Sequence, residues 1–190
     1  MVALFITHPD VVVDPDIPVA RWRLSDRGLA RMRTFVASDA AAGVSEVWAS
    51  TEAKAIEAAG VLAARFGIGV NVHPDLGEND RTATGFLPPD EFEEVANAFF
   101  SRPLESVRGW ETAAAAQARI RRAVETILDQ RRPAGDIAFV AHGAVGALLM
   151  GAMLGEPISR DLDQPFQGNY WSFDPDTRAV VHRWRPIAPR

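Results

Sequence analysis

Two histidines stand where a run of strand-forming residues stops: His8 after the apolar run at residues 2–7, VALFIT, and His142 after Ile137–Ala141. A neutral imidazole can attack through one ring nitrogen while the other is held as a donor, and a second imidazole can donate to an oxygen of the attacked group. In open α/β sheets, ligands collect at the carboxyl ends of the parallel strands, so polar residues there have a raised chance of facing a site. Ser50-Thr51 ends a third such run. Alone, each histidine reads more readily as a loop or capping residue than as a site residue. If both strands are central, His8 and His142 meet in space although they are far apart in the chain. His73 and His182 read as an edge-loop residue and a strand residue on a half-exposed face.

The pattern around these residues supplies the elements that must carry them. The strand before His8 gives way to a proline-bearing loop, then to a helix over about Asp26 to Ala42 with Leu29, Met32, Phe35 and Val36 on one face. Val44 to Ser50 reads as a second strand, followed by a helix over about Thr51–Phe66 with Ile56, Ala59, Leu62 and Phe66 inward and Gly67 as its stop. Ile68 to Val72 is a third strand. From Asp80 to Trp110 prolines bracket a helix near Glu91–Phe100, an excursion over the active-site side of the sheet. A long helix over Glu111–Arg131, with Ile120, Val124 and Leu128 inward, leads to the strand before His142, and His142-Gly143 opens an apolar helix to Leu154. Tyr170–Phe173 and Ala179–Trp184 form a hairpin about Asp174-Pro175-Asp176-Thr177-Arg178. This alternation predicts one α/β domain over residues 1–190, a three-layer sandwich with a mostly parallel central sheet flanked by helices.

Composition narrows the function. The chain has 190 residues, 47% of them hydrophobic, which suits a single core. A net charge of −5 and a pI near 5.4 argue against a general nucleic-acid binder, which draws its affinity from clustered Lys and Arg. There is no cysteine, so disulfides and thiol chemistry are excluded. The start MVALFITHPD lacks the basic residues and long apolar stretch of a secretory signal, and no apolar run is long enough to span a bilayer, so a cytoplasmic protein is expected.

Taken in order, these residues resemble the histidine phosphatase superfamily, the phosphoglycerate mutase-like fold. FITHP stands where that family has a strand ending in Arg-His-Gly, and WASTEAKAIEAA, with Ser50 and Lys54-Ala55, stands where it has Ser and then Arg-Ala in the first turn of a helix. Leu76-Gly77-Glu78 reproduces the setting of its acid/base carboxylate, and FVAHGAVGALL its late strand ending in His-Gly. LSDRG and Gly109-Trp110-Glu111 are smaller echoes, and the resemblance runs from about residue 3 to residue 185.

The resemblance implies a phosphatase acting on a small phosphorylated substrate without a metal or other cofactor. His8 is then the phospho-accepting nucleophile, its second nitrogen held by a backbone carbonyl. His142 donates to a phosphate oxygen, Glu78 serves as acid and then base, and Lys54, Ser50, Thr7 and the amides opening the helix at Gly143 face the substrate. Thr7, Pro9 and Lys54 depart from the family's Arg, Gly and Arg, and neither Thr nor Lys offers the planar fork of a guanidinium. Arg21, first among Arg21, Arg23 and Arg27, is expected to fold back and supply the missing cation. Three alternatives stand beside this reading: a catalytically weakened member that binds phosphate esters or a protein, a mutase-type phosphoryl transfer, and a metal site built on His8, Asp10 and His142. Substrate identity and oligomeric state have no readable code in the chain.

Overall fold

The computed structural model describes residues 1–130 and 134–189. Six strands form one sheet: β1 (Ala3–Thr7), β2 (Val44–Ala49), β3 (Val70–Val72), β4 (Asp136–Ala141), β5 (Asn169–Phe173) and β6 (Val180–Pro186), in the order β3-β2-β4-β1-β5-β6. β3, β2, β4 and β1 run parallel, and β5 pairs antiparallel with both β1 and β6, so β6 runs in the direction of β1. β1 and β4 are therefore central neighbours, in a register that sets Thr7 opposite Ala141.

Among the described residues five α-helices complete three layers: α1 (Asp26–Val36), α2 (Ala53–Phe66), α3 (Pro89–Ser101), α4 (Ala113–Gln130) and α5 (Gly143–Leu154). β1 and β4 are apolar at nearly every position because both their faces are covered, and alternate residues feed two cores. Ala3 and Phe5 of β1, with Ile137 and Phe139 of β4, pack against α3, α4 and α5. Leu4 and Ile6, with Ala138 and Val140, pack against α1 and α2. No helix among the described residues is long and apolar enough to cross a membrane.

Two sequence expectations are revised. The first helix ends at Val36, and Asp39–Ala41 forms a separate 3-10 turn, because the Ser38 hydroxyl bonds back to the Phe35 carbonyl at 2.6 Å in competition with helix continuation. Ile56 is 39% exposed; the buried stripe of α2 is the small-residue row Ala55, Ala58, Ala59 together with Leu62, which lets the helix sit close to the sheet. The expected end of the long helix at Arg131 lies outside the described residues, α4 being defined to Gln130. The hairpin stands as read, with Asp174 Oδ1 accepting the Asp176 and Thr177 amides at 2.9 and 2.8 Å.

The loop after β1 is pinned to α1. Ser25 caps the helix by accepting the Gly28 amide at 3.1 Å, and its own amide donates to the Asp10 carbonyl at 2.9 Å. A Cβ at Gly28 would stand 2.2 Å from that carbonyl oxygen, so only glycine permits the approach. This contact fixes where the chain leaves His8.

Candidate active site

His8 follows β1 directly, and its amide donates to the Ala141 carbonyl of β4 at 3.1 Å. Its Nδ1 lies 3.0 Å from the Pro9 carbonyl. A carbonyl can only accept, so Nδ1 carries the proton and Nε2 keeps the lone pair. Burial, reinforced by the charge of Lys54, lowers the His8 pKa to about 4. The imidazole is thus neutral at neutral pH, the form a nucleophile needs.

The His142 ring meets the His8 ring edge-on, with centroids 5.2 Å apart. His142 is wholly buried. Its Nε2 stands 2.7 Å from Ser50 Oγ and 3.2 Å from Glu52 Oε1, while its Nδ1 is buried with no hydrogen-bond partner. Ser50 therefore faces His142, with no surface open to a substrate, because it closes β2 underneath that ring. Burial holds the His142 pKa well below the ordinary histidine value, against the opposing pull of Glu52.

Glu78 comes from the loop after β3 and lines a cavity of about 370 Å³ that His8 also lines. Its carboxylate accepts the Ala144 and Val145 amides at 3.3 and 3.1 Å, and the Asn79 amide at 3.2 Å. The Ala144 and Val145 amides are orphans of the first turn of α5, whose opening amides the sequence offers to phosphate. Glu78 takes two of them because a carboxylate is the nearest anion to a helix N-terminus. Gly143 itself lines the cavity, where a Cβ would stand 2.4 Å from Gln164 Nε2. Burial raises the Glu78 pKa above the ordinary glutamate value despite the charge of Arg81, the direction that suits a carboxyl acting as a proton donor.

The loop bearing Glu78 is held from below by Arg119 of α4. Its guanidinium donates to the carbonyls of Asp75, Gly77 and Glu78 at 2.9, 3.0 and 3.1 Å and pairs with Glu111 at 2.7 Å. Glu111 belongs to the Gly-Trp-Glu echo in the sequence, whereas Arg119 carried no signal beyond one charge on a helix.

Among the described residues three cations line the cavity, Lys54, Arg81 and Arg160. Lys54 is buried in the first turn of α2, donates to the Val19 carbonyl at 2.9 Å and pairs with Glu52. Arg81 is the residue the sequence reading missed. It lies three positions after Glu78 on the same loop, its guanidinium over the Phe92 ring at 5.1 Å, and its charge acts on His8, Glu78 and His142 alike. The only hint was an arginine in the segment read as an excursion. Arg21 does not fold back over the site: it is exposed and not part of the cavity wall. Arg23 is drawn to Glu57 at 2.5 Å, and Arg27 stands 3.7 Å from Asp10. Asn79, also unmarked in the sequence, is 5% exposed, lines the cavity, and has a buried Nδ2 without a partner.

Thr7 is fully buried and is not in the cavity wall. Its hydroxyl bonds to Gln164 Oε1 at 2.6 Å and accepts the Asn169 amide at 3.0 Å, so it ties β1 to the segment before β5. Its expected contact with substrate is corrected accordingly. Asp10 turns away to Arg31 at 2.7 Å, and no group of three His, Cys, Asp or Glu among the described residues could hold a metal ion. His73 and His182 are structural, the first capping a 3-10 turn by accepting the Asp75 amide at 3.2 Å, the second with Nδ1 2.7 Å from the Arg183 carbonyl.

The outer cavity wall comes from the excursion and the segment before β5. Trp22, Phe92, Trp110 and Phe166 provide aromatic surface. Arg160 also lines it, but is held by Glu93 and Asp163, each at 2.7 Å.

This geometry can be set beside known proteins. The structure resembles the α-ribazole phosphatase from Shigella flexneri, with a TM-score of 0.79 at 17% identity over 100% of this chain and 98% of that one. It resembles mycobacterial hydrolase 2, with a TM-score of 0.77 at 18% identity over 100% and 92%. The mycobacterial glucosyl-3-phosphoglycerate phosphatase in complex with inorganic phosphate gives 0.75 at 19% identity over 97% and 94%. At these identities the likeness establishes the fold. No curated protein sequence matches the chain. The sequence profile of the histidine phosphatase superfamily (branch 1) matches residues 14–171, most of the described fold, and the chain belongs to that superfamily.

Proposed function

We propose that this protein is a phosphatase that hydrolyses a small phosphate monoester through a phosphohistidine on His8, without a metal. The observation that carries the proposal is the His8 imidazole, neutral, with Nδ1–H committed to the Pro9 carbonyl and Nε2 left as the lone pair beside Glu78, Lys54 and Arg81. Nε2 attacks phosphorus as the ester oxygen leaves, and protonated Glu78 gives its proton to that oxygen. Water then attacks the phosphohistidine while Glu78 takes its proton, which releases inorganic phosphate and restores both groups. Lys54, Arg81 and the Asn79 side-chain amide stabilise the charge on the equatorial oxygens, in the place where a guanidinium pair would otherwise act.

The wall favours an alcohol portion that carries no second anionic group. Arg160 is the cation placed to grip one, and Glu93 and Asp163 already neutralise it. The aromatic side chains favour a flat or apolar group instead. Both features weigh against a mutase acting on a carboxylate-bearing sugar-acid phosphate.

A second reading, a weakened member that binds phosphate esters or a protein without turnover, is favoured by one observation: Lys54 shares its charge with Glu52, and Thr7 contributes none. The experiment that separates the two is incubation with an aryl phosphate, with trapping of acid-labile phosphate on wild type and His8→Ala. Turnover that survives chelation, with label on wild type and none on His8→Ala, supports the phosphatase. Neither turnover nor label selects the binding protein.

A further inference from the structure

Glu52 stands two residues after the end of β2 and two before Lys54, as the N-cap of α2, and it gives that helix no side-chain capping bond. Its carboxylate is turned inward instead. Oε1 lies 3.2 Å from His142 Nε2 and accepts the Glu78 amide at 3.1 Å, while Oε2 pairs with Lys54. One carboxylate thus touches three groups of the site without lining the main cavity.

These contacts decide the tautomer of His142. With the proton on Nε2, the donor faces two acceptors, Ser50 Oγ and Glu52 Oε1. With the proton on Nδ1, a buried N–H would have no partner and the Nε2 lone pair would confront a carboxylate. Neutral His142 is therefore the Nε2–H form, and its Nδ1 is an acceptor. In that state it cannot donate to a phosphate oxygen as the sequence reading expects; donation requires a second proton.

We propose that Glu52 is a positioning residue that fixes this tautomer and serves as the counter-charge of His142, so that His142 takes up a proton at Nδ1 when a tetrahedral dianion enters. The inference rests on reading the cavity as a phosphate site. The groups that face His142 oppose one another: His8 from β1, Lys54 from α2 and Arg81 from the loop after β3 disfavour the proton, and Glu52 favours it. Glu78 stands on the same side, bonded to the neighbouring α5 amides, and its raised pKa keeps it from serving as the counter-charge. In the free protein, burial and the cations prevail and the ring is neutral. His142 is buried behind the cavity wall with its ring packed edge-on against His8, which lines the cavity, so a dianion held at His8 supplies the second negative charge across that ring pair. The proton comes from solvent, and leaves when phosphate does. Glu52 burial is offset by His142 and Lys54, which bring its own pKa down to about 2, so it is an anion throughout the working range.

Sulfate is the suitable probe, because it stays a dianion from weakly acid to weakly alkaline pH and any proton taken up belongs to the protein. Calorimetric titration at neutral pH in two buffers of different ionisation enthalpy counts that proton. Wild type is expected to take up about one proton per sulfate, the stoichiometry of a single titrating site. Glu52→Gln keeps an acceptor for Nε2–H but removes the charge; it should lose the uptake and bind sulfate about tenfold more weakly, the loss of one charge-assisted hydrogen bond. Deleting a negative charge for electrostatic reasons alone would tighten sulfate, so the direction separates the proposal from a general field effect. His142→Asn should also lose the uptake, and His8→Asn should keep it. Thermal unfolding confirms that each variant is folded. No sulfate binding, no uptake by wild type, uptake retained in Glu52→Gln, or uptake lost in His8→Asn would overturn the proposal. Aryl phosphate turnover is read separately: Glu52-dependent uptake without hydrolysis removes the phosphatase reading and leaves this one, and hydrolysis without such uptake does the reverse.

Discussion

Arg119 holds the main chain of Glu78, with Nη2 3.1 Å from its carbonyl oxygen, while Glu111 holds Arg119. The carboxyl expected to move the proton is thus aimed by a pair on α4 and the turn before it. Arg119→Met should lower kcat on an aryl phosphate about tenfold to a hundredfold, with a smaller change in KM, and cost about 3 kcal/mol of stability, because Glu111 and three carbonyls lose a charged partner. Steady-state kinetics with denaturant unfolding checks both; an unchanged kcat on a destabilised protein would mean that the loop holds itself.

The missing cation is assigned to Arg81. Arg81→Ala should weaken vanadate inhibition about tenfold or more, since a charged hydrogen-bond donor to the anion is lost. Arg21→Ala should leave it unchanged within about twofold, as expected for an exposed side chain outside the wall. Inhibition constants for the two variants decide the matter, and a reversed order would return the role to Arg21.

Installing the family's arginine at position 7 should fail. Thr7 is fully buried among β4, Gln164 and Asn169, so Thr7→Arg forces a guanidinium into a packed strand end and should cost about 3 kcal/mol or more. A folded Thr7→Arg protein with a raised kcat would show that the strand end can open.

Activity should depend on pH through His8 and Glu78 in opposite senses. His8 must be neutral, so kcat/KM falls as the pH drops toward its pKa of about 4. Glu78 must be protonated, and its raised pKa moves the alkaline limb above the ordinary glutamate range. A pH–rate profile with an alkaline limb at the unshifted glutamate value would remove Glu78 as the acid.

Stability has its own pH signature. His8 has a folded pKa below its unfolded one, so between about pH 6.5 and 4 the unfolded chain binds the extra proton and stability falls as the pH falls, by up to about 3 kcal/mol. His8→Asn should make that slope shallower in denaturant unfolding followed across this range, the remainder coming from His142, whose pKa is lowered as well. A slope identical to wild type would place the titration elsewhere.

The sheet was legible because its physics is local and repetitive: apolar runs that stop at polar residues, a glycine stop at Gly67, an Asp-Pro-Asp turn. His8, Glu78 and His142 were legible for the same reason, each being the first polar group past a strand or a Leu-Gly turn. The groups that tune them were not. Arg81, Asn79 and Glu52 sit in segments whose local pattern says only loop or helix start, and their roles come from folding those segments onto one cavity. Arg21 illustrates the converse: proximity in sequence to His8 suggested a cradle, yet the Val11–Leu24 bridge and the Trp22 indole bonds to Asp14 and Ile17 fold that loop on itself. Ser50 and Thr7 were found by position and misassigned by orientation, since strand ends alternate between facing the ligand and facing the core.

The bond from the His8 amide to the Ala141 carbonyl makes the spacing of the two imidazoles a property of neighbouring central strands. No surface loop can lengthen or shorten it. Residues 80–110, by contrast, contribute much of the far wall of the cavity and little to that spacing. The distance between the two imidazoles and the far side of the cavity are therefore written on separate stretches of the chain, and the far side can be recast while that distance stays as it is.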